Sequence, residues 1–269
     1  MIYRYFGHSS SKFYRNRNKS FKDEFDYEDY LLIKKYFDKG KEKVGIRQLK
    51  LLIERNEGVV FNLKKIARIK RKYGLFTKIR RKTSKYYRKK HFIEHRLVDN
   101  KLDRNFKRNK PREVICTDIT ELKANGRRYY LSAYKDLYTK EIVEHKVSSN
   151  MTVATQNSVL TNLMRKLKQS EKENLMIHSD QGFQYTHFSF QKLLEFNGIE
   201  KSMSRKGNCH DNAPIESFFG YLKDHLEISK CMSLEEVKKV VRKEINYYNN
   251  ERPQLGLNKM PPAEYRRHA

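Results

Sequence analysis

Between Gly58 and Ile93 the chain has no acidic residue, while Lys64, Lys65, Arg68, Lys70, Arg71, Lys72, Lys78, Arg80, Arg81, Lys82, Lys85, Arg88, Lys89 and Lys90 all fall inside that window. Such a run repels itself unless phosphates or other anions neutralise it. The asymmetry is wider than the window. Residues 1–110 carry 34 basic and 12 acidic residues, a net of +22, which leaves 25 minus 20, or +5, for everything after Lys110. A lysine-rich codon bias would explain abundance, but it does not explain clustering. With 38% hydrophobic and 12% aromatic residues in 269, the chain can bury one sizeable core and a smaller one. A folded protein with one strongly basic half points to a polyanionic partner, nucleic acid first.

Other classes are disfavoured. Cys116, Cys209 and Cys231 are odd in number and contain no CxxC pair, against both a disulfide framework and a structural zinc ribbon. The start MIYRYFGHSS lacks an apolar h-region, and no stretch reaches the roughly 18 apolar residues of a spanning helix. A reducing, cytoplasmic setting without membrane insertion is the expectation.

The spacing of Phe25, Tyr30, Leu31, Ile33 and Phe37 predicts a short helix over Glu24 to Phe37. Ile46, Leu49, Leu52 and Ile53 predict a second, and Glu57-Gly58 a turn. Asn62 can cap a third helix carrying Leu63, Ile66, Ile69 and Tyr73, stopped by Gly74. This is a helix-turn-helix pattern with Lys64, Lys65, Arg68 and Arg71 on the polar side of its second helix. Paired short amphipathic helices are common, so the basic run that follows is what favours DNA. The organisation expected is an N-terminal helical segment (1–40), a small all-α helix-turn-helix domain (41–90), a basic linker (91–112) and an α/β domain (113–269).

In the last region Glu113 to Thr120, Tyr129 to Tyr134 and Ile142 to Val147 read as strands, and Thr152 to Lys168 as a helix. Leu175 to His178 and Ile199 to Met203 are further strands around a helix from Phe188 to Phe196. Helices over 212–228 and 234–248 follow. Three consecutive strands and then alternation give an α/β fold with a mixed five-stranded sheet.

Two acids occupy unusual places. Asp118 lies inside VICTDIT, an otherwise apolar or small strand, where an ionised carboxylate is costly unless paired or bound to metal. Asp180 follows the buried strand of MIHSDQG and precedes Gly182, at the strand end where α/β sheets hold ligands. A third acid, Glu216, opens a helix begun by Asp211-Asn212-Ala213-Pro214 and shares a face with Gly220 and Lys223. Any one of the three could be a cap, a turn residue or a surface charge. Together they form an oxygen-rich set suited to Mg²⁺ or Mn²⁺. Two such ions about 3.5 to 4 Å apart serve phosphodiester displacement.

The motifs TDIT around Asp118, HSDQGFQY around Asp180, KGNCHDNAPIESFFGYLK around Glu216 and YYNNERPQLGLNKMPPAEY from Tyr247 to Tyr265 resemble, in order, those of one family. It is the OrfB-type transposases of insertion-sequence group three, within the retroviral-integrase superfamily and its RNase H-like core. The resemblance covers most of the chain, and the 35 residues between Asp180 and Glu216 match the spacing in the family's DD(35)E name. It implies that Asp118, Asp180 and Glu216 are the catalytic, metal-binding triad, that Lys223 contacts DNA near the cut, and that Val44 to Leu75 is the family's helix-turn-helix. Arg252 belongs to the Arg-Pro motif and is a further candidate DNA contact. The implied activity is cleavage at element ends and transfer of the resulting 3′-hydroxyl, with a homo-oligomer on double-stranded DNA and an upstream OrfA product as partners. In two places the chain departs from the family: Ile115 stands at or near a frequent Trp, and Gln254 replaces the usual His after Arg-Pro.

Rival readings remain at this point. Cys209 and His210, with His178 or His187, could build a zinc or Cys-His site, but adjacent residues diverge and no pair has zinc spacing. His210 and Asp211 are better read as ordering the turn into the helix. An RNase H-like nuclease, or an inactive DNA-binding regulator, would share the fold.

Overall fold

The computed structural model describes residues 26–78, 98–205 and 207–269. Arg80 and the bases after it as far as Lys90 lie outside the described residues, as does the side chain of Cys209. The chain divides into two compact units, Met1–Arg81 and Lys82–Ala269.

The first unit is three helices: α1 (26–39), α2 (Ile46–Glu57) and α3 (Leu63–Lys72). Their apolar stripes meet in one core containing Ile33, Phe37, Leu49, Ile53, Ile66 and Ile69, so α1 shares a core with the helix pair. The turn chemistry is as the sequence predicts. Gly58 ends α2 in the left-handed region at φ 68°, which a side chain would strain, and donates to the Glu54 carbonyl. Asn62 caps α3 by accepting from the Lys64 N–H at 2.8 Å.

The second unit is built on a five-stranded mixed sheet in the order β3-β2-β1-β4-β5. Strands β1 (Val114–Ala124), β2 (Arg127–Asp136) and β3 (Ile142–Ser148) form an antiparallel meander, whereas β4 (Met176–Ser179) and β5 (Glu200–Met203) run parallel to β1. The first hairpin is longer than expected. Pairing continues to Ala124 opposite Arg127 around Asn125-Gly126, both at positive φ (44° and 72°), the signature of a two-residue hairpin turn.

Alternation along β1 divides two apolar layers. Val114, Cys116 and Leu122 face α8 (Ala213–His225) and α9 (Leu234–Asn250), meeting Ile215, Phe218, Leu222, Val241 and Ile245. Ile115 faces the other layer, with α4 (Val153–Lys166) and α7 (Phe188–Phe196), through Leu160, Leu163, Phe190 and Leu194. Short α5 (Gln169–Lys172), α6 (Phe183–Thr186) and α10 (Pro262–Arg267) were not foreseen, and each is only four to six residues long. The end of the basic linker, residues 98–112, lies on this unit: Leu102 is 1% exposed and Phe106 packs on the α8 layer. Among the described residues no helix is long and apolar enough to cross a membrane.

Candidate active site

The register between β1 and β4 carries the two aspartates to one place. The last paired rung is Cys116 opposite His178, and two residues beyond it lie Asp118, still within β1, and Asp180, one residue past the end of β4. Parity along β1 puts Asp118 on the face of Val114 and Cys116, the layer covered by α8. Asp180 folds back on its own turn: Oδ1 accepts from the Gly182 N–H at 2.8 Å. A Cβ at position 182 would sit 2.8 Å from that oxygen, so any side chain there would displace the carboxylate.

Two buried polar contacts place Glu216. Asn212 donates Nδ2–H to the Thr117 carbonyl at 3.2 Å, joining the residue before α8 to the residue before Asp118. Lys135, buried on β2, donates Nζ–H to the Pro214 carbonyl at 2.9 Å, with its ammonium 5.9 Å from the ring centres of Phe218 and Tyr248. Pro214 in the first turn needs no amide partner and pre-sets the helical φ. Glu216 therefore leaves an anchored helix end on its exposed side, while Ile215, Phe218 and Leu222 are buried.

The three carboxylates sense one another. Burial first, and then the charge of Asp180, push Asp118 up to about 7; the Ile119 N–H, donating at 2.7 Å, opposes this, Glu216 adds to it, and Lys223 lowers it. The carboxyl of Glu216 is raised by its partial burial, lowered by His210 and raised again by Asp180. Among the described residues no three His, Cys, Asp or Glu side chains are gathered closely enough to hold a metal ion as they stand. The donor chemistry nonetheless fits a hard divalent cation: all oxygen, mutually repelling, and brought to one sheet end by β1, β4 and α8.

Lys223 lies on α8 within electrostatic range of Asp118. Arg252 stacks its guanidinium 4.4 Å from the Tyr221 ring centre and 5.8 Å from that of Tyr248. In the first unit Lys64 and Arg71 are exposed on α3. Lys65 instead pairs with Asp29 at 2.6 Å, and Arg68 grips the buried Asp26 with two bonds of 2.5 and 2.6 Å. The zinc reading loses its distant histidines. His178 is buried between Ser202 and Ser204, with burial lowering it to about 4, and His187 caps α7 through the Ser189 N–H. Asp211 is fully buried among arginines, in keeping with a structural role. Asn212 and Lys135 were missed by sequence reasoning. Asn212 had a signal, being a polar residue just before a helix, but the partner of Lys135 is 79 residues away.

Known proteins resemble the chain along most of its length. Two models described as integrase core domain match residues 108–209 and 197–262, and one described as HTH-like domain matches 24–83. A protein of Escherichia coli strain K12 named as transposase InsK for insertion element IS150 is 35% identical over 235 residues, 87% of this chain and 81% of its own. The transposase for insertion element IS904 of Lactococcus lactis is 30% identical over 245 residues, 88% of this chain and 92% of its own. The chain belongs to the OrfB-type transposases of insertion-sequence group three. Its enzyme class is polynucleotidyl transferase. A solved chain of the simian T-cell lymphotropic virus intasome superposes on the transposase with a TM-score of 0.50 at 14% identity, over 64% of this chain and 59% of that one, a likeness of fold.

Proposed function

We propose that this transposase cuts one strand at each end of its element and joins the freed 3′-hydroxyl to target DNA, using Asp118, Asp180 and Glu216. The observation that carries the reading is the β1–β4 register that puts Asp118 and Asp180 each two residues beyond its last rung, with both in electrostatic range of Glu216. In the first step a water oxygen attacks phosphorus and the strand's 3′-oxygen leaves with the proton it needs. In the second, that hydroxyl attacks a target phosphodiester and displaces another 3′-oxygen, so one bond is exchanged for another without a nucleotide cofactor.

The three carboxylates would hold Mg²⁺ or Mn²⁺, as two ions, which when bound would supply charge stabilisation for the attacking and leaving oxygens. This chain's own contributions are placement and charge. Asn212 and Lys135 fix the helix end that bears Glu216, and Lys223 offers a cation on the same helix for a phosphate near the cut. Exposed Lys64 and Arg71 are suited to duplex contacts from the first unit. Lys65 and Arg68 reach the duplex only with the charge left after pairing to Asp29 and Asp26, and Arg252 only from its stack on Tyr221. Assembly as a homo-oligomer on paired ends, cooperation with an OrfA product and action in the bacterial cytoplasm, on the nucleoid, complete the reading.

The test is incubation with Mg²⁺ and labelled terminal-repeat DNA. Joined strands are expected from the wild type, and none from Glu216→Gln with DNA binding retained. Cut but unjoined products would make the protein a nuclease, and binding without cutting would make it a regulator.

A further inference from the structure

Asp211 is 0% exposed yet carries a full set of donors. Arg205, on its own turn, gives three: the backbone N–H and Nε to Oδ2, both at 3.0 Å, and Nη2 to Oδ1 at 3.1 Å. The other two come from more than a hundred residues upstream. Arg104 Nε donates to Oδ1 at 2.7 Å and Asn100 Nδ2 to Oδ2 at 3.0 Å. The stretch bearing them is itself fastened. Asn100 Oδ1 accepts from the Asp103 N–H at 3.0 Å, Leu102 N–H donates to Ser202 Oγ at 3.1 Å, and Met203 N–H donates to the Asp99 carbonyl at 3.3 Å. Lys101 pairs with Glu200 at 2.7 Å on the same edge strand.

From Asp211 the contacts lead directly to the acids. Asp211 lies in the 3₁₀ turn Cys209–Asn212, Asn212 holds the Thr117 carbonyl beside Asp118, and α8 begins at the next residue, with Glu216 in its first turn. Nothing in the proposed chemistry uses Asp211, and its position five residues before Glu216 makes it the point through which that turn is held.

We infer that residues 99–104 form a strap that positions Glu216, with Arg104 and Asn100 acting through Asp211 as positioning residues. The catalytic unit therefore begins before its first strand, inside the stretch that the charge pattern marks as linker. The inference rests on the assignment of Glu216 to the active site. Two contributions meet at one carboxylate: Arg205 closes the turn on itself with three bonds and also pairs with Asp103 of the strap at 3.2 Å, whereas Arg104 reaches Asp211 from the strap directly. With Arg205 still in place, losing Arg104 leaves Asp211 compensated, so the fold survives and only the placement suffers.

The experiment compares full-length wild type, Arg104→Leu, Arg104→Lys and Asn100→Ala. Amide hydrogen exchange is read over 207–217 and, as a control, over strand β2, and strand joining is titrated with Mg²⁺. For Arg104→Leu, exchange over 207–217 is expected to quicken with β2 unchanged. The Mg²⁺ concentration for half-maximal joining is expected to rise about tenfold, the size typical of lost outer-shell support, with unchanged affinity for terminal-repeat DNA. Arg104→Lys should restore most of both, and Asn100→Ala should shift both less. Unchanged exchange over 207–217, or a shift in exchange with no change in Mg²⁺ dependence, overturns the strap. Equal acceleration in β2 also overturns it, because the role would then be general stability. A wild type that joins no strands would refute the proposed function, while the exchange contrast would still decide whether the strap holds the turn.

Discussion

Asp118 and Asp211 are the same residue type, both removed from free solvent within one unit, and their environments push them in opposite directions. Asp211 is met by two arginines and an asparagine, and its carboxyl is held well below the usual range, first by hydrogen bonding to Arg205. Asp118 is raised to about 7 by burial first and then by the fields of two more acids, against one backbone N–H and the charge of Lys223. A buried carboxylate surrounded by guanidinium is a structural fastening, since its charge is already matched. One left among other carboxylates stores repulsion that an external cation relieves, and such perturbed groups mark functional sites. On the proposed function, the pair distinguishes an acid that builds the protein from an acid that would work in it.

Exchanging charge for its neutral isostere should separate the two most sharply. Asp118→Asn or Glu216→Gln is expected to lower strand joining on the order of a thousandfold, the rate equivalent of several kcal/mol of transition-state charge stabilisation. The melting temperature in chelator should hold or rise, because repulsion is removed. Gel assays for joined product alongside thermal melts check this, and a large fall in melting temperature for Asp118→Asn would break the comparison. Asp211→Asn should instead strike stability first, costing about 3 kcal/mol, the low end for a broken buried pair because Arg104 and Arg205 are half-exposed at 46% and 52%, with any loss of joining following from the loosened turn. Urea denaturation measures it.

Acid titration sharpens the contrast at smaller amplitude. The folded-state pKa of Asp211 is depressed, so its contribution to stability is fully present above the unfolded value of about 3.9 and is lost as pH falls through the lower folded value. Between pH 5 and pH 2 the wild type should therefore lose stability more steeply than Asp211→Asn. Equal slopes would mean that the arginines do not hold the carboxylate ionised.

Much of the candidate site was legible in the sequence because its signals are local. An acid in VICTDIT contradicts its strand, Asp180 precedes a glycine at a strand end, and Glu216 follows Pro214 in a helix start. The meeting of Asp118 and Asp180 at one sheet end was not legible, since it depends on a parallel register between strands 62 residues apart. Lys135 was invisible for the same reason: β2 was expected to stop at Tyr134, yet runs on to Asp136 and buries the lysine under α8. The Asn125-Gly126 turn was a local signal that went unused. Arg68 lies on the polar side of its helix as the periodicity says, but its bidentate partner Asp26 is 42 residues away and no spacing rule reveals it.

The contrast between matched and available charge recurs on α3, where it gives the smallest expected effects. All three of Lys64, Arg68 and Arg71 are exposed, but Arg68 is committed to Asp26, whose carboxyl that hydrogen bond holds well below the usual range. Arg68→Ala should leave a buried carboxylate poorly compensated, with Lys72 at 3.0 Å its remaining cation among the described residues, and so lower the melting temperature of the first unit before it changes DNA affinity. Lys64→Ala and Arg71→Ala should leave that melt unmoved. Each should flatten the dependence of log binding constant on log salt by about 0.9, the release expected for one phosphate contact on duplex DNA. Fluorescence anisotropy on terminal-repeat duplex over a salt series, paired with melts, separates the two sets. If Arg68→Ala flattened the salt slope and left the melt unchanged, Arg68 would belong with the DNA contacts, and geometry alone would not distinguish a fastening charge from a working one on this helix.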